Sequence, residues 1–172
     1  LLANNRAAHY VIAALIGASG VLCFAPFELF WLAPAVWLGL FVLLRSADSA
    51  KQAALTGLSF GLGFFLTGVS WVYVSLSVFG GMPWWLAGIA AFLFCSVMAL
   101  FPSLAGWIFK RWQPAAPWRQ ALLFAVLIAA VDWLRSWIFT GFPWLAVGYS
   151  QAPPSPLAGF APLFGVHGLS LL

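Results

Sequence analysis

Charged side chains are scarce in this sequence. Only 6% of the 172 residues are charged, with three acids and seven bases, whereas 65% are hydrophobic. Because soluble domains carry roughly 25% charged residues, this composition excludes a soluble globular protein and predicts a polytopic membrane protein. The net charge of +4 does not indicate a nucleic-acid partner, since the bases are placed as membrane orientation requires.

Cysteine and histidine are also scarce. Cys23 and Cys95 lie in apolar runs without a second cysteine or a histidine at metal-binding spacing, so neither a metal site nor a disulfide framework is predicted. His9 and His167 stand apart, and Glu28 is a single carboxylate at a turn. With no nucleophile and base in company, the sequence predicts no catalytic residue and no cofactor in this chain.

Long uncharged apolar runs are abundant instead. About 20 apolar residues cross the ~30 Å hydrocarbon core of a bilayer, and proline, glycine and polar loops divide the chain into segments near that length. The predicted fold is therefore all-α, a polytopic transmembrane helix bundle of about six spans. The predicted spans cover residues 8–25, 29–44, 52–75, 86–109, 120–139 and 157–172. Because the chain starts without methionine and stops inside the last run, we expect a fragment of a longer protein.

Two glycines stand four residues apart in the third predicted span. Gly57 and Gly61 form a G-x-x-x-G pair, a pattern that lets neighbouring helix backbones approach closely. This pattern predicts helix packing rather than a ligand site.

The positions of the bases predict the orientation of the bundle. Apart from Arg135, every base lies at the start of the chain or in the loops after the second and fourth spans. These bases are Arg6, Arg45, Lys51, Lys110, Arg111 and Arg119. By the positive-inside rule those ends are cytoplasmic, and alternation puts the loops at 26–28, 78–84 and 141–156 on the outer face.

Residues 132–150 are the most unusual stretch, because Asp132 and Arg135 place an acid and a base in one apolar helix. A charge at the bilayer centre costs at least about 2.5–3.5 kcal/mol on insertion scales, so both need a partner or a purpose. One interpretation is a structural ion pair that locks the fifth span to its neighbours. The other is that Arg135 presents its planar guanidinium to a lipid phosphate. The two interpretations are compatible with each other.

An aromatic loop follows the charged pair. Gly141 and Pro143 break the helix, and Phe142, Trp144 and Tyr149 crowd the turn. These aromatics either anchor the chain at the membrane interface or line a groove for an acyl chain. The predicted substrate-binding residues are therefore the three aromatics together with Arg135.

Several motifs resemble one protein family. They are the turn at 17–27, the helix end at 70–75 with Phe-Gly-Gly-Met-Pro at 79–83, Leu-Arg-Ser-Trp at 134–137, Thr-Gly-Phe-Pro-Trp at 140–144 and Gly-Tyr-Ser-Gln at 148–151. In this order they resemble the amino-terminal membrane domain of bacterial apolipoprotein N-acyltransferase. The chain departs from that family at Asp132, where a glutamate is more usual.

The resemblance implies an inner-membrane enzyme that moves an acyl chain from a phospholipid to the N-terminal diacylglyceryl-cysteine of an apolipoprotein. A periplasmic nitrilase-like domain beyond residue 172, with a Glu-Lys-Cys triad, would form a cysteine thioester on the way. The present chain would supply the membrane scaffold and lipid groove, and would be inactive alone. The alternatives are a non-enzymatic transporter with Asp132 and Arg135 along its pathway, or a membrane anchor for an unrelated domain.

Overall fold

The computed structural model of the chain describes residues 6–152 and 155–171. Within these ranges the chain is helical and contains no strand, which confirms the predicted all-α membrane helix bundle. The α-helices there are α1 Arg6–Gly20, α2 Ala33–Ser46, α3 Ala50–Gly68, α4 Trp71–Val74, α5 Trp84–Arg111, α6 Pro117–Arg135 and α7 Ala161–Leu169.

Helix α3 lies at the centre of the bundle and packs against α5 without a layer of large side chains between them. A Cβ added to Gly57 would collide with the Pro102 carbonyl, and one added to Gly61 would meet Ala99. Ser103 Oγ donates a hydrogen bond across the same interface to the Ala54 carbonyl, at 2.9 Å. The predicted role of the G-x-x-x-G pair in helix packing is therefore confirmed.

The other side of α3 packs against α1, again through glycine. A Cβ on Gly63 would collide with the Ala14 carbonyl, so the two backbones touch there. Nearer the start of both helices, His9 Nε2 lies 3.1 Å from Thr56 Oγ1, and this hydroxyl also donates to the Gln52 carbonyl. Because positions 9 and 14 of α1 pair with positions 56 and 63 of α3, the two helices run parallel, as two spans of the same direction must.

Among the described residues, three helices are long and apolar enough to cross a membrane: Arg6–Cys23, which extends α1 by a 3-10 turn, α5 and α6. The pair Ala50–Gly68 and Trp71–Phe79 makes a fourth span if its two halves, bent by 50°, are counted together. Phe30–Ser46 and Pro156–Leu169 are apolar but shorter than the 18 residues of a full span. The part of the chain that the structure describes thus has three to four candidate spans and two shorter apolar helices where about six spans were predicted. Leu172, the last residue of the sixth predicted span, lies outside the described residues.

Side chains on the outside of the bundle are apolar, as are those in its core. Leu40, Phe60 and Phe109 are fully buried, while Leu15 and Leu100 are more than half exposed. A soluble bundle would place polar residues on the outer faces of its helices. This surface suits hydrocarbon instead of water.

The six predicted cytoplasmic bases lie at one end of the helices in this fold. Arg6 begins α1, and Lys51 and Arg119 stand in the first turns of α3 and α6. The last turn of α2 carries Arg45, and that of α5 carries Lys110 and Arg111. Lys110 Nζ donates to the Arg45 carbonyl at 3.1 Å, which joins two of these ends directly.

Candidate functional site

Asp132 and Arg135 form an ion pair in the last turn of α6, with Arg135 Nη2 at 3.0 Å from Asp132 Oδ1. The pair is buried, and Arg135 is only 1% exposed. The second carboxylate oxygen, Oδ2, accepts a hydrogen bond of 2.7 Å from the backbone N–H of Val147. The acid therefore binds both its own helix and the loop that follows.

Arg135 also holds the loop after α6. Its Nη1 donates to the carbonyls of Phe142 and Trp144, at 2.8 Å and 2.5 Å. The Phe142 N–H donates back to the Arg135 carbonyl at 2.9 Å, and the guanidinium carbon lies 5.2 Å from the centre of the Phe65 ring. We refer to Asp132 and Arg135 with these loop contacts as the clasp. Because these contacts leave Arg135 only 1% exposed, the structure gives no support to the interpretation that its guanidinium binds a lipid phosphate.

The loop between Arg135 and Val147 folds sharply. Helix α6 ends at Arg135, not at residue 139 as the predicted span did, because the backbone leaves helical geometry at Trp137, where φ is −136°. It then enters the left-handed region at Phe139 and Thr140. Gly141 also has a positive φ, and a Cβ there would collide with the Ser136 carbonyl. Only glycine fits this close approach.

The predicted aromatic residues divide into two groups. Phe142 turns into the bundle, where its ring meets Phe94 edge-on at 4.9 Å. Trp144 and Tyr149 remain about half exposed, and Trp144 meets Trp71 edge-on at 5.4 Å. The structure therefore brings only two of the three aromatics to one open surface.

Trp144 and Tyr149 line a cavity of about 630 Å³. Three segments line it: the turn after α1, the junction of α3 with α4, and the loop after α6. The lining residues are Val21, Cys23, Phe24, Ala25, Pro26, Phe27, Glu28, Thr67, Gly68, Trp71, Pro143, Trp144, Leu145, Tyr149, Ser150 and Ala152. Phe142, Asp132 and Arg135 do not line the cavity. The clasp contacts the cavity wall through its hydrogen bonds to the loop after α6. We call this space the outer cavity, because it lies at the ends of α1, α3 and α6 that are opposite to the basic ends.

A second cavity, of about 520 Å³, lies on the other side of the loop after α6. Helices α2, α6 and α7 border it, with Trp31, Trp37, Phe124 and Ile128 among its walls. Neither Asp132 nor Arg135 lines either of these two cavities. Among the described residues, no group of three His, Cys, Asp or Glu side chains could hold a metal ion.

The family model described as the apolipoprotein N-acyltransferase N-terminal domain matches residues 16–172. The chain belongs to the apolipoprotein N-acyltransferase family. Three curated relatives agree with this assignment. The apolipoprotein N-acyltransferase of Nitrosomonas europaea is 52% identical over 94% of the chain, that of Ralstonia nicotianae is 43% identical over 92%, and that of Vibrio vulnificus is 42% identical over 98%. The chain spans about a third of the length of each, between 31% and 33%.

Sequence reasoning missed part of the outer cavity of this family member. Trp71 faces Trp144 there, and the turn at 24–28 forms the opposite wall. Trp71 lies inside the uncharged run that predicts a span over residues 52–75, so no local pattern marks it as a cavity residue. The family motifs could have indicated the cavity, because the motifs at 17–27, 70–75 and 140–151 each contribute lining residues to it.

Proposed function

We propose that this chain is the membrane part of an N-acyltransferase that moves an acyl chain from a phospholipid to the N-terminal diacylglyceryl-cysteine of an apolipoprotein. The outer cavity receives the lipid, and a cysteine in a nitrilase-like remainder of the protein forms the thioester. The protein lies in the bacterial inner membrane with this cavity on the periplasmic side. The one observation that supports this most directly is the apolar cavity at the end of the bundle opposite the bases.

The size and walls of the outer cavity suit an acyl chain. Small-molecule pockets of about 300–1,000 Å³ are mostly apolar with a few polar groups, and this cavity of about 630 Å³ follows that pattern. Trp71, Trp144 and Phe24 supply rigid apolar walls, whereas Tyr149 and Glu28 supply polar groups. An amphiphile with its chain inside and its headgroup at Tyr149 and Glu28 would match both parts.

The rival transport function needs polar or charged groups along a pathway. Asp132 and Arg135 would be the natural candidates, but they are bonded to each other and to the loop after α6. We therefore propose that the clasp is structural, and that it fixes the loop whose residues line the outer cavity.

The substitution Trp144→Ala in the full-length enzyme tests the proposed function. Complete burial of a large apolar side chain is worth about 1.5–3 kcal/mol. Because Trp144 is half exposed, burial of its exposed half by lipid would contribute about half of that, or roughly three- to twelvefold in apparent affinity. We expect thioester formation to slow at limiting phospholipid and to recover at saturating phospholipid. The rate should be measured by intact-protein mass spectrometry.

The chain offers a matched control in Trp133→Ala. Trp133 is 54% exposed against 50% for Trp144, and it too meets a tryptophan edge-on at 5.4 Å, namely Trp137. Trp133 does not line the outer cavity. If both variants slow thioester formation equally, or if Trp144→Ala forms the thioester at the normal rate at limiting phospholipid, the proposal that the outer cavity receives the lipid is wrong.

A further inference from the structure

Glu28 is the only acid among the residues that line the outer cavity. It ends a tight turn in which the N–H groups of Phe27 and Glu28 both donate to the Phe24 carbonyl at 3.0 Å. The Leu29 N–H donates to the Leu22 carbonyl at 3.0 Å, and the Phe30 N–H donates to the Glu28 carbonyl at 2.9 Å. Backbone hydrogen bonds on both sides therefore fix the position of this residue.

The backbone of Glu28 is strained at that position. Its φ of 57° lies in the left-handed region, which glycine adopts freely and a residue with a Cβ disfavours. Leu145, on the facing wall, has a φ of 59°. Strained backbone of this kind persists where the surroundings over-determine it, and it clusters at ligand sites. Here a residue with a charged side chain stands where glycine would relieve the strain.

The carboxylate of Glu28 has no partner in the described part of the chain. None of the described hydrogen bonds, ion pairs or cation–ring contacts involves its side chain, and the side chain is exposed. Among the described residues, no lysine, arginine or histidine lines the same cavity, and its other polar side chains, which include Thr67, Tyr149 and Ser150, carry no charge. The mouth of an apolar cavity thus carries one negative charge and nothing in the described chain that neutralises it.

We propose that Glu28 is a specificity-determining residue, whose carboxylate binds the primary ammonium in the headgroup of a zwitterionic phospholipid while the acyl chain occupies the outer cavity. This inference rests on the proposed function. A carboxylate next to low-dielectric walls attracts an ammonium and repels a headgroup of net negative charge. A primary ammonium also donates charge-assisted hydrogen bonds, which a quaternary ammonium cannot.

The test compares three donors with the same acyl chains in detergent micelles: one with an ethanolamine, one with a choline and one with a glycerol headgroup. Thioester formation on the full-length enzyme gives KM and kcat for each donor. The ion pair between the Glu28 carboxylate and the lipid ammonium would be exposed to water and therefore weak. We expect the unsubstituted enzyme to have a KM roughly two- to fivefold lower for the ethanolamine lipid than for the glycerol lipid. The substitution Glu28→Gln should remove this difference through KM and leave kcat unchanged.

Two further variants separate charge from folding. Glu28→Gly removes the carboxylate and relieves the left-handed strain, so the headgroup preference should disappear while the melting temperature stays the same or rises. Asp48→Asn is the matched loss of an exposed acid at the basic end of the bundle, and it should leave the preference intact. If Glu28→Gln and the unsubstituted enzyme show the same headgroup ratio, or if Asp48→Asn changes that ratio as much, the proposal is overturned.

These outcomes are distinct from failure of the proposed function. If the outer cavity does not receive lipid, Trp144→Ala leaves the KM of all three donors unchanged. If the cavity does receive lipid but Glu28 does not select it, Trp144→Ala raises all three KM values together and Glu28→Gln changes none of them.

Discussion

Arg135 is among the most buried side chains of the described chain, although it carries a permanent charge. Its Nη1 and Nη2 donate to two backbone carbonyls and to a carboxylate inside the protein, and its guanidinium lies over a phenyl ring. A buried ion pair does not by itself stabilise a fold, but the loss of one partner leaves an uncompensated charge. We infer that Arg135 fixes a backbone shape instead of binding a ligand.

Substitution of Arg135 should therefore damage folding more than chemistry. Arg135→Lys keeps the charge but loses the planar fork that reaches Asp132 and the Phe142 and Trp144 carbonyls together. We expect a lower yield of membrane-extracted protein and a lower melting temperature, with the acylation rate per folded molecule close to normal. A normal yield with a much lower rate would instead support the lipid-phosphate interpretation.

A double-mutant cycle at Asp132 and Arg135 measures the pair itself. Arg135→Ala leaves Asp132 buried without its cation, which should cost about 3–5 kcal/mol of stability. Adding Asp132→Asn should recover part of that loss, because the remaining group is neutral and can still accept from Val147. Thermal unfolding in detergent would check this expectation. Strictly additive losses would show that the two residues do not interact.

At the scale of the helices, the composition and the spacing of residues predicted the helices themselves and one of the contacts between them. Long uncharged runs predicted helices, and Gly57 and Gly61 predicted a close helix contact that the structure places against α5. The bend after Gly68 escaped prediction because neither a charge nor a proline marks it. The outer cavity also escaped in part, because it joins three turns that are far apart in the chain and no local pattern relates them.

The α3–α5 contact provides a prediction about helix packing. Gly57→Ala places a methyl group against the Pro102 carbonyl, so the helices must move apart, at a cost of about 1–3 kcal/mol. Gly88→Ala is the control, because Gly88 also lies in a helix and a Cβ there meets nothing within 4 Å. That control should be neutral or stabilising by up to about 1 kcal/mol. Equal melting temperatures for the two variants would contradict the packing argument.

At the scale of the whole molecule, the charges and the outer cavity lie at opposite ends of the bundle. The bases near Arg45 and Lys110 stand at one end, where the two residues are joined by a hydrogen bond, and the cavity opens at the far ends of α1, α3 and α6. A membrane orients such a bundle with its basic end toward the cytoplasm. In that orientation the outer cavity would open to the periplasm.

Reporter fusions would test this orientation. We expect fusions at Ser49 and Gln113 to report the cytoplasm, because the bases cluster in those loops, and fusions at Gly81 and Ala152 to report the periplasm. Alkaline phosphatase and a fluorescent protein at the same four sites should give opposite signals. A periplasmic signal at Gln113 would reverse the assignment.

The last prediction concerns Cys23, because this residue lines the outer cavity and is therefore the obvious rival to a thioester cysteine elsewhere in the protein. Cys23 is 3% exposed, and none of the described residues that line the cavity is a lysine, arginine or histidine. A reactive cysteine needs such a positive neighbour, or a comparable source of positive potential, to hold its thiolate. We therefore expect Cys23→Ala in the full-length enzyme to form the thioester within about twofold of the normal rate. The control Cys95→Ala should do the same, because the Cys95 thiol is 1% exposed and donates to the Phe65 carbonyl at 3.5 Å.

The purified 172-residue chain should transfer no acyl group to a diacylglyceryl peptide, since it contains no activated nucleophile in its described part. Loss of the thioester in Cys23→Ala at normal protein yield, or acyl transfer by the isolated chain, would place the chemistry in the membrane bundle itself.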